Sequence, residues 1–221
     1  MAKKRKKKKW FFLPKAKKKR RIYFMLLLVF LTLIALTVAM NQSMTTKKDQ
    51  IIYQNEAKQK QLQIWAPYAQ KMQYKYRIFA SISLAQAILE SDWNQSSLSK
   101  DYNNLYGIKA SASQAGVVVP TKEYEDGHWI TVDQKFASYK TWQESMEAHA
   151  QLISKGTHWN PNQYEHVLAA KNYQAAAQAL VQDGYATDPT YAAKLVAVIE
   201  TWNLKRFDLA VKMGDATSSI N

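Results

Sequence analysis

The hydrophobic pattern changes character three times along the chain. From Ile22 to Met40, nineteen residues follow one another without a charge. At about 1.5 Å per helical residue such a run spans roughly the 30 Å hydrocarbon layer of a bilayer. Residues 41–64 are polar, rich in Gln and Lys, and free of Gly and Pro, which suits a helical or flexible stalk. From Trp65 the texture is that of a folded domain. Ile78, Ile82, Ala85 and Leu89 share one helical face and predict a helix over about 77–91. A loop with one helical turn is expected over 96–107. Val117 to Val119 and Trp129 to Val132, separated by Asp126-Gly127, predict a β-hairpin.

Helical periodicity then returns. Thr141-Trp142-Gln143-Glu144 has the form of a capping box, and Gly156 closes the helix it opens. A further helix is expected over 173–183, stopped by Gly184. Asp188 and Pro189 predict the N-cap and first position of a last helix that reaches about Trp202. Residues 206–221 end in a polar Ser/Thr-rich stretch that reads as a dispensable tail. Trp65, Trp142 and Trp202 lie in helical stretches and are expected to pack in the core.

Charge alters this picture in one place. The net charge is +14, but residues 1–21 hold 13 Lys and Arg and no acid, which leaves 18 basic against 17 acidic side chains in the rest. The basicity therefore belongs to a tail, and no folded nucleic-acid surface or nucleic-acid partner is expected. The positive-inside rule would keep residues 1–21 in the cytoplasm, with 22–40 as a single-pass anchor in the cell membrane and the domain outside. Thr37-Val38-Ala39 is a weak cleavage site, and the apolar run exceeds the usual core of a signal peptide. The expected order is thus tail 1–21, anchor 22–40, stalk 41–64, folded domain 65–205 and tail 206–221.

With no cysteine, thiolate metal sites, iron–sulfur clusters, disulfides and cysteine nucleophiles are excluded. His128, His149, His158 and His166 show no ligand-like spacing, so neither metal nor cofactor is expected. Nucleotide-binding loops and the serine-hydrolase elbow are absent. Glu90 stands out, in the last turn of a helix whose other residues are mostly apolar or small. The negative end of the helix dipole and partial desolvation both favour its protonated form, as a general acid requires.

The stretch 85–93, followed by Asn103-Asn104-Leu105-Tyr106-Gly107-Ile108-Lys109, resembles the glucosaminidase domain of bacterial peptidoglycan hydrolases, glycoside hydrolase family 73. Thr121-Lys122-Glu123-Tyr124, Phe136-Ala137-Ser138-Tyr139 with Glu144-Ser145, and Gly184-Tyr185-Ala186-Thr187-Asp188-Pro189-Thr190-Tyr191-Ala192 extend the likeness in the family's order over about 66–204. Asp92-Trp93-Asn94 departs from it, because family members more often carry a Gly there.

The resemblance implies a mainly α (α+β), lysozyme-like domain in two lobes, with the hairpin over a sugar-binding groove. It implies a monomeric domain that cleaves the β-1,4 bond between N-acetylglucosamine and N-acetylmuramic acid of peptidoglycan glycan strands. Glu90 would be the general acid, Glu123 the second carboxylate and Tyr185 the active-site tyrosine. Glu125, two residues along the same strand, is the fallback for Glu123. Asn103, Asn104, Tyr106, Gly107, Lys109, Trp129 and Tyr191 would line the substrate site. Three routes stay open: Glu123 as base on a water, Glu123 as nucleophile, or attack by the substrate's own acetamido group. A muramidase or lytic transglycosylase on the same fold is the alternative enzyme, and a non-catalytic wall-binding scaffold the alternative outside enzymes.

Overall fold

The computed structural model describes residues 15–111, 113–125 and 128–210, without the side chains of 15–22, 26–30, 122–125 and 129. Two compact units divide it, Met1–Glu56 and Ala57–Asn221. Helix α1 (Lys15–Tyr76) contributes to both. In the first unit it carries exposed apolar side chains that include Leu31, Leu33, Ile34, Leu36 and Met40. Among the described residues no helix is long and apolar enough to cross a membrane. Part of the run 22–40, namely the side chains of 22 and 26–30, lies outside them.

The second unit is mainly helical with one two-stranded antiparallel sheet. Its core starts before Trp65: Leu62 is fully buried, followed by Trp65, Ala66, Ala69 and Met72. Helix α2 (Ala80–Ser91) runs through the middle and is buried at every position from Ala80 to Ile88. A short α3 (Ser97–Tyr102) leads to the hairpin of β1 (Gly116–Glu125) and β2 (His128–Ala137). The expected turn residues Asp126 and Gly127 lie outside the described residues, but the register pairs Glu125 with His128 directly across them. The hairpin's base is sewn to the turn after α3. Ala110 N–H donates to Lys135 O, Ala137 N–H to Ile108 O, and the Asn104 amide to Ala137 O.

Helix α4 (Trp142–Lys155) opens as the sequence predicts: Thr141 Oγ1 accepts from Glu144 N–H, while Glu144 Oε2 accepts from Lys140 N–H. Gly156 ends it at φ 67°, and a Cβ there would lie 2.2 Å from Asn160 O, so only glycine fits. A five-residue α5 (Glu165–Ala169), with too few residues to show a period, was not expected from the sequence. Then come α6 (Tyr173–Gln182) and α7 (Tyr191–Thr201). The last helix starts later than predicted. Asp188 and Pro189 sit in the preceding turn, where Asp188 Oδ1 accepts from both the N–H and the hydroxyl of Thr190.

The segment expected to be a dispensable tail makes contacts with the domain at its start. After a 3-10 turn (Leu204–Phe207), Asp208 accepts from the N–H and the Oγ of Ser81, each at 2.8 Å. Gln73 Oε1 accepts from Ala80 N–H and Leu209 N–H. Phe79, the N-cap of α2, offers no side-chain cap, so these two side chains satisfy the helix's orphan donors from a distance. We expect Asp208→Ala to destabilise the domain by about 1–2 kcal/mol, read as a lower urea midpoint. Unchanged stability would remove the capping role.

Candidate active site

Glu90 ends α2. Its side chain is exposed at the residue level, yet the carboxyl lies against protein, and this desolvation raises its pKa above the ordinary carboxylate value. Tyr191, in the first turn of α7, donates its O–H to Glu90 Oε1 at 2.7 Å and opposes that shift by favouring the ionised form. Burial dominates, so the net direction is upward.

Behind this pair lies a floor of aromatic rings. Tyr185 stacks near Tyr191 (5.9 Å, 27°) and meets His149 edge-on at 5.9 Å. His149 is fully buried and lies flat on Tyr106 at 4.0 Å. Burial pushes the His149 imidazole down to about 3, so it stays neutral, and holds the Tyr185, Tyr191 and Tyr106 phenols well above their usual range. A positively charged imidazole here would have held Glu90 ionised. Gln86 and His149 belong to this assembly but were missed from the sequence. The signal for Gln86 was its place one helical turn before Glu90.

The turn just past Glu90 takes an uncommon backbone path. Asp92, Trp93 and Asn94 all have positive φ (48°, 58° and 64°), a conformation that disfavours L-residues, most of all the bulky Trp93. Packing holds it. Trp93 meets Trp202 edge-on at 4.6 Å, Lys58 Nζ lies 5.2 Å and 5.7 Å from the two rings, and Ser91 Oγ accepts from Asn94 N–H. Asp92, Trp93 and Asn94 thus hold a conformation that glycine adopts most easily, with these contacts around them.

The other predicted site residues fall into three groups. Asn103 and Asn104 hold the backbone together: the Asn103 amide donates to Tyr139 O and Lys140 O, and buried Asn104 both accepts from Ile108 N–H and donates to Ile108 O. Tyr106 is buried, with its O–H on Ser83 O. Gly107 has φ +62° and open space around a Cβ, while Lys109 is exposed and bridged through its backbone to Phe136. Glu123 and Glu125 lie on β1 opposite Ile130 and His128, at the register positions that continue Val117, Val119 and Thr121. Their side chains, and that of Trp129, lie outside the described residues. The described side chains of the site therefore join Glu90, Tyr185 and Tyr191. Among the described residues no group of three or more His, Cys, Asp or Glu could hold a metal ion.

A mainly helical domain that presents a carboxyl of raised pKa beside a tyrosine, with a hairpin attached by its base, has the form of a lysozyme-like glycosidase. Residues 66–204 match the family described as Glucosaminidase: Mannosyl-glycoprotein endo-beta-N-acetylglucosaminidase, and the chain belongs to that family. It is 47% identical over 141 residues to the exo-glucosaminidase LytG of Bacillus subtilis, which covers 64% of this chain and 50% of LytG. It is 39% identical over 144 residues to a probable N-acetylmuramidase of Lactococcus lactis, over 64% of this chain and 33% of that protein. Among solved structures it is similar to the catalytic domain of the autolysin Auto from Listeria monocytogenes, with TM-score 0.63 and 37% identity over 68% of this chain and 87% of that one. The chain spans half or less of the length of these two sequence relatives.

A general acid works while protonated, so with Glu90 in that role activity would be present below its pKa and lost as the pH rises through it. Tyr191→Phe removes a bond that favours the carboxylate and raises that pKa further. We expect the alkaline limb of the kcat profile to move to higher pH in this variant while kcat itself falls. A limb that moves to lower pH would contradict the arrangement.

Proposed function

We propose that the protein is a peptidoglycan hydrolase, a β-N-acetylglucosaminidase that cuts the β-1,4 bond between N-acetylglucosamine and N-acetylmuramic acid. The carrying observation is the Glu90 carboxyl, desolvated and held by Tyr191 at the end of a buried helix. In this reading Glu90 gives its proton to the glycosidic oxygen as the bond to the anomeric carbon breaks, and the sugar passes through an oxocarbenium-like transition state. Negative charge then develops on Glu90. The Tyr191 O–H, already aimed at Oε1, strengthens as that charge appears and so favours the transition state over the ground state.

The second half of the reaction falls to Glu123, with Glu125 as its alternate, acting as base on a water, or to the substrate's acetamido group with Tyr185 orienting it. The hairpin's attachment supports this assignment: β2 is bonded to the turn after α3, whose Tyr106 reaches Ser83 of α2, and β1 is paired along β2. The likeness to LytG favours the glucosaminidase bond specificity. The likeness to the probable N-acetylmuramidase favours a second reading, hydrolysis of the other β-1,4 bond by the same acid.

For its location, residues 22–40 form a single membrane anchor, the basic residues 1–21 stay cytoplasmic, and the domain faces the cell wall. The uncharged run and the one-sided placement of Lys and Arg support this topology. Protease added to intact spheroplasts should then remove the domain and spare the tail. Loss of the tail with survival of the domain would reverse the orientation.

The decisive measurement is digestion of purified peptidoglycan, borohydride reduction and mass spectrometry of the released muropeptides. Products ending in reduced N-acetylglucosamine are expected, and reduced or anhydro N-acetylmuramic acid ends would establish the other bond. Glu90→Gln should stay folded and lose roughly 100-fold or more in turnover. Near-normal turnover in that variant would sink the acid assignment.

A further inference from the structure

Tyr191 stands between two groups of α2. Its hydroxyl donates to Glu90 Oε1 at 2.7 Å and accepts from Gln86 Nε2 at 3.3 Å. Gln86 and Glu90 are four residues apart, hence neighbours on one helix face that a single phenol can bridge. A hydroxyl carries one proton. With that proton on Glu90, Tyr191 has only lone pairs to offer Gln86, so the buried carboxamide must present its NH2. The opposite orientation would set two acceptors on either side of one proton. Gln86 Oε1, turned the other way, has no hydrogen-bond partner among the described residues.

We propose that Gln86 is a positioning residue for the acid: its amide fixes Tyr191 as a donor to Glu90 Oε1 and thereby confines the transferable proton of Glu90 to Oε2. This rests on the reading of Glu90 as general acid. A protonated carboxyl has one O–H and one carbonyl oxygen. Since Tyr191 donates to Oε1, that oxygen is the carbonyl and the acid's O–H lies on Oε2, which takes no hydrogen bond from the described residues. Without the Gln86 donor the phenol is free to turn over and accept the acid's proton on the Oε1 side, which holds it away from a leaving oxygen. With Gln86 in place the same Tyr191 bond serves both the protonated and the ionised carboxyl, so nothing needs to reorient when the proton leaves.

The groups around this chain leave its titration legible. Tyr185 from the turn before α7, Tyr106 from the turn after α3, Tyr164 just before α5 and His149 from α4 surround it, and burial keeps all four neutral near neutral pH. Glu123 and Glu125 are the charged groups of the hairpin, with side chains outside the described residues.

The test is Gln86→Met in the full chain, which keeps the length of the side chain and removes the donor. We expect kcat to fall roughly ten-fold or more with KM nearly unchanged. The Glu90 carboxyl, followed by carbon-13 NMR and assigned by its loss in Glu90→Gln, should titrate at higher pH. In a Tyr191→Phe background, Gln86→Met should alter neither quantity, because its route to Glu90 is already gone. The proposal is overturned by wild-type kcat and titration in Gln86→Met, by the same loss in both backgrounds, or by a loss that only tracks the unfolded fraction. Should the unaltered chain hydrolyse no wall substrate, the general-acid reading falls, while the titrations still decide whether Gln86 reaches Glu90 through Tyr191.

Discussion

A helix buried along nearly its whole length ends at a carboxyl-bearing residue where exposure begins. That constraint on α2 organises the domain. From Ala80 to Ile88 every side chain is buried, and all but Gln86 are small or apolar, so the helix has little freedom to shift its end. Exposure begins at Leu89 and Glu90, one turn before the chain leaves in a left-handed path. The contacts of Trp93 with Trp202 and Lys58 keep that exit fixed, at a strain of about 1–2 kcal/mol per non-glycine residue. A rigid helix with a rigid exit leaves Glu90 few places to be.

Around that end the domain places groups that are polar but uncharged. Three phenols and an imidazole, all neutral, lie around the Glu90 carboxyl. Such a setting desolvates Glu90 without supplying a cation to hold it ionised, and keeps one directed donor, Tyr191, for the charged form. Acidity at Glu90 thus reflects a balance between two named causes, and each can be altered by a single substitution.

Much of this was legible in the sequence, and the failures have physical reasons. Glu90 could be placed because a 3.6-residue period runs up to it, and the α4 cap because Thr141 and Glu144 lie at the spacing a capping box needs. Local signals misled at Asp188, whose carboxylate caps a turn in place of the helix two residues on. Tyr191 was marked as a site residue by resemblance alone, and its bond to Glu90 could not be read from the sequence: the ring is buried and the hydroxyl lies on Glu90. Gln86, His149 and Asp208 act through partners 105, 43 and 127 positions away, and no local pattern encodes those meetings. The hairpin carboxylates were marked by resemblance alone, and the backbone register places them at the far end of β1 without their side chains.

The remote cap on α2 also bears on the order in which the protein becomes competent. Ser81 leaves the ribosome 127 residues before Asp208, the group that closes its helix end. Until then Ser81 lacks its acceptor, although Gln73 can already take the Ala80 N–H, and closing so long a loop carries an entropic cost that the completed packing offsets. The cap at the start of the helix that bears Glu90 is therefore complete only when nearly the whole domain is available. A growing chain carries the Glu90 carboxyl long before it carries the frame that surrounds it.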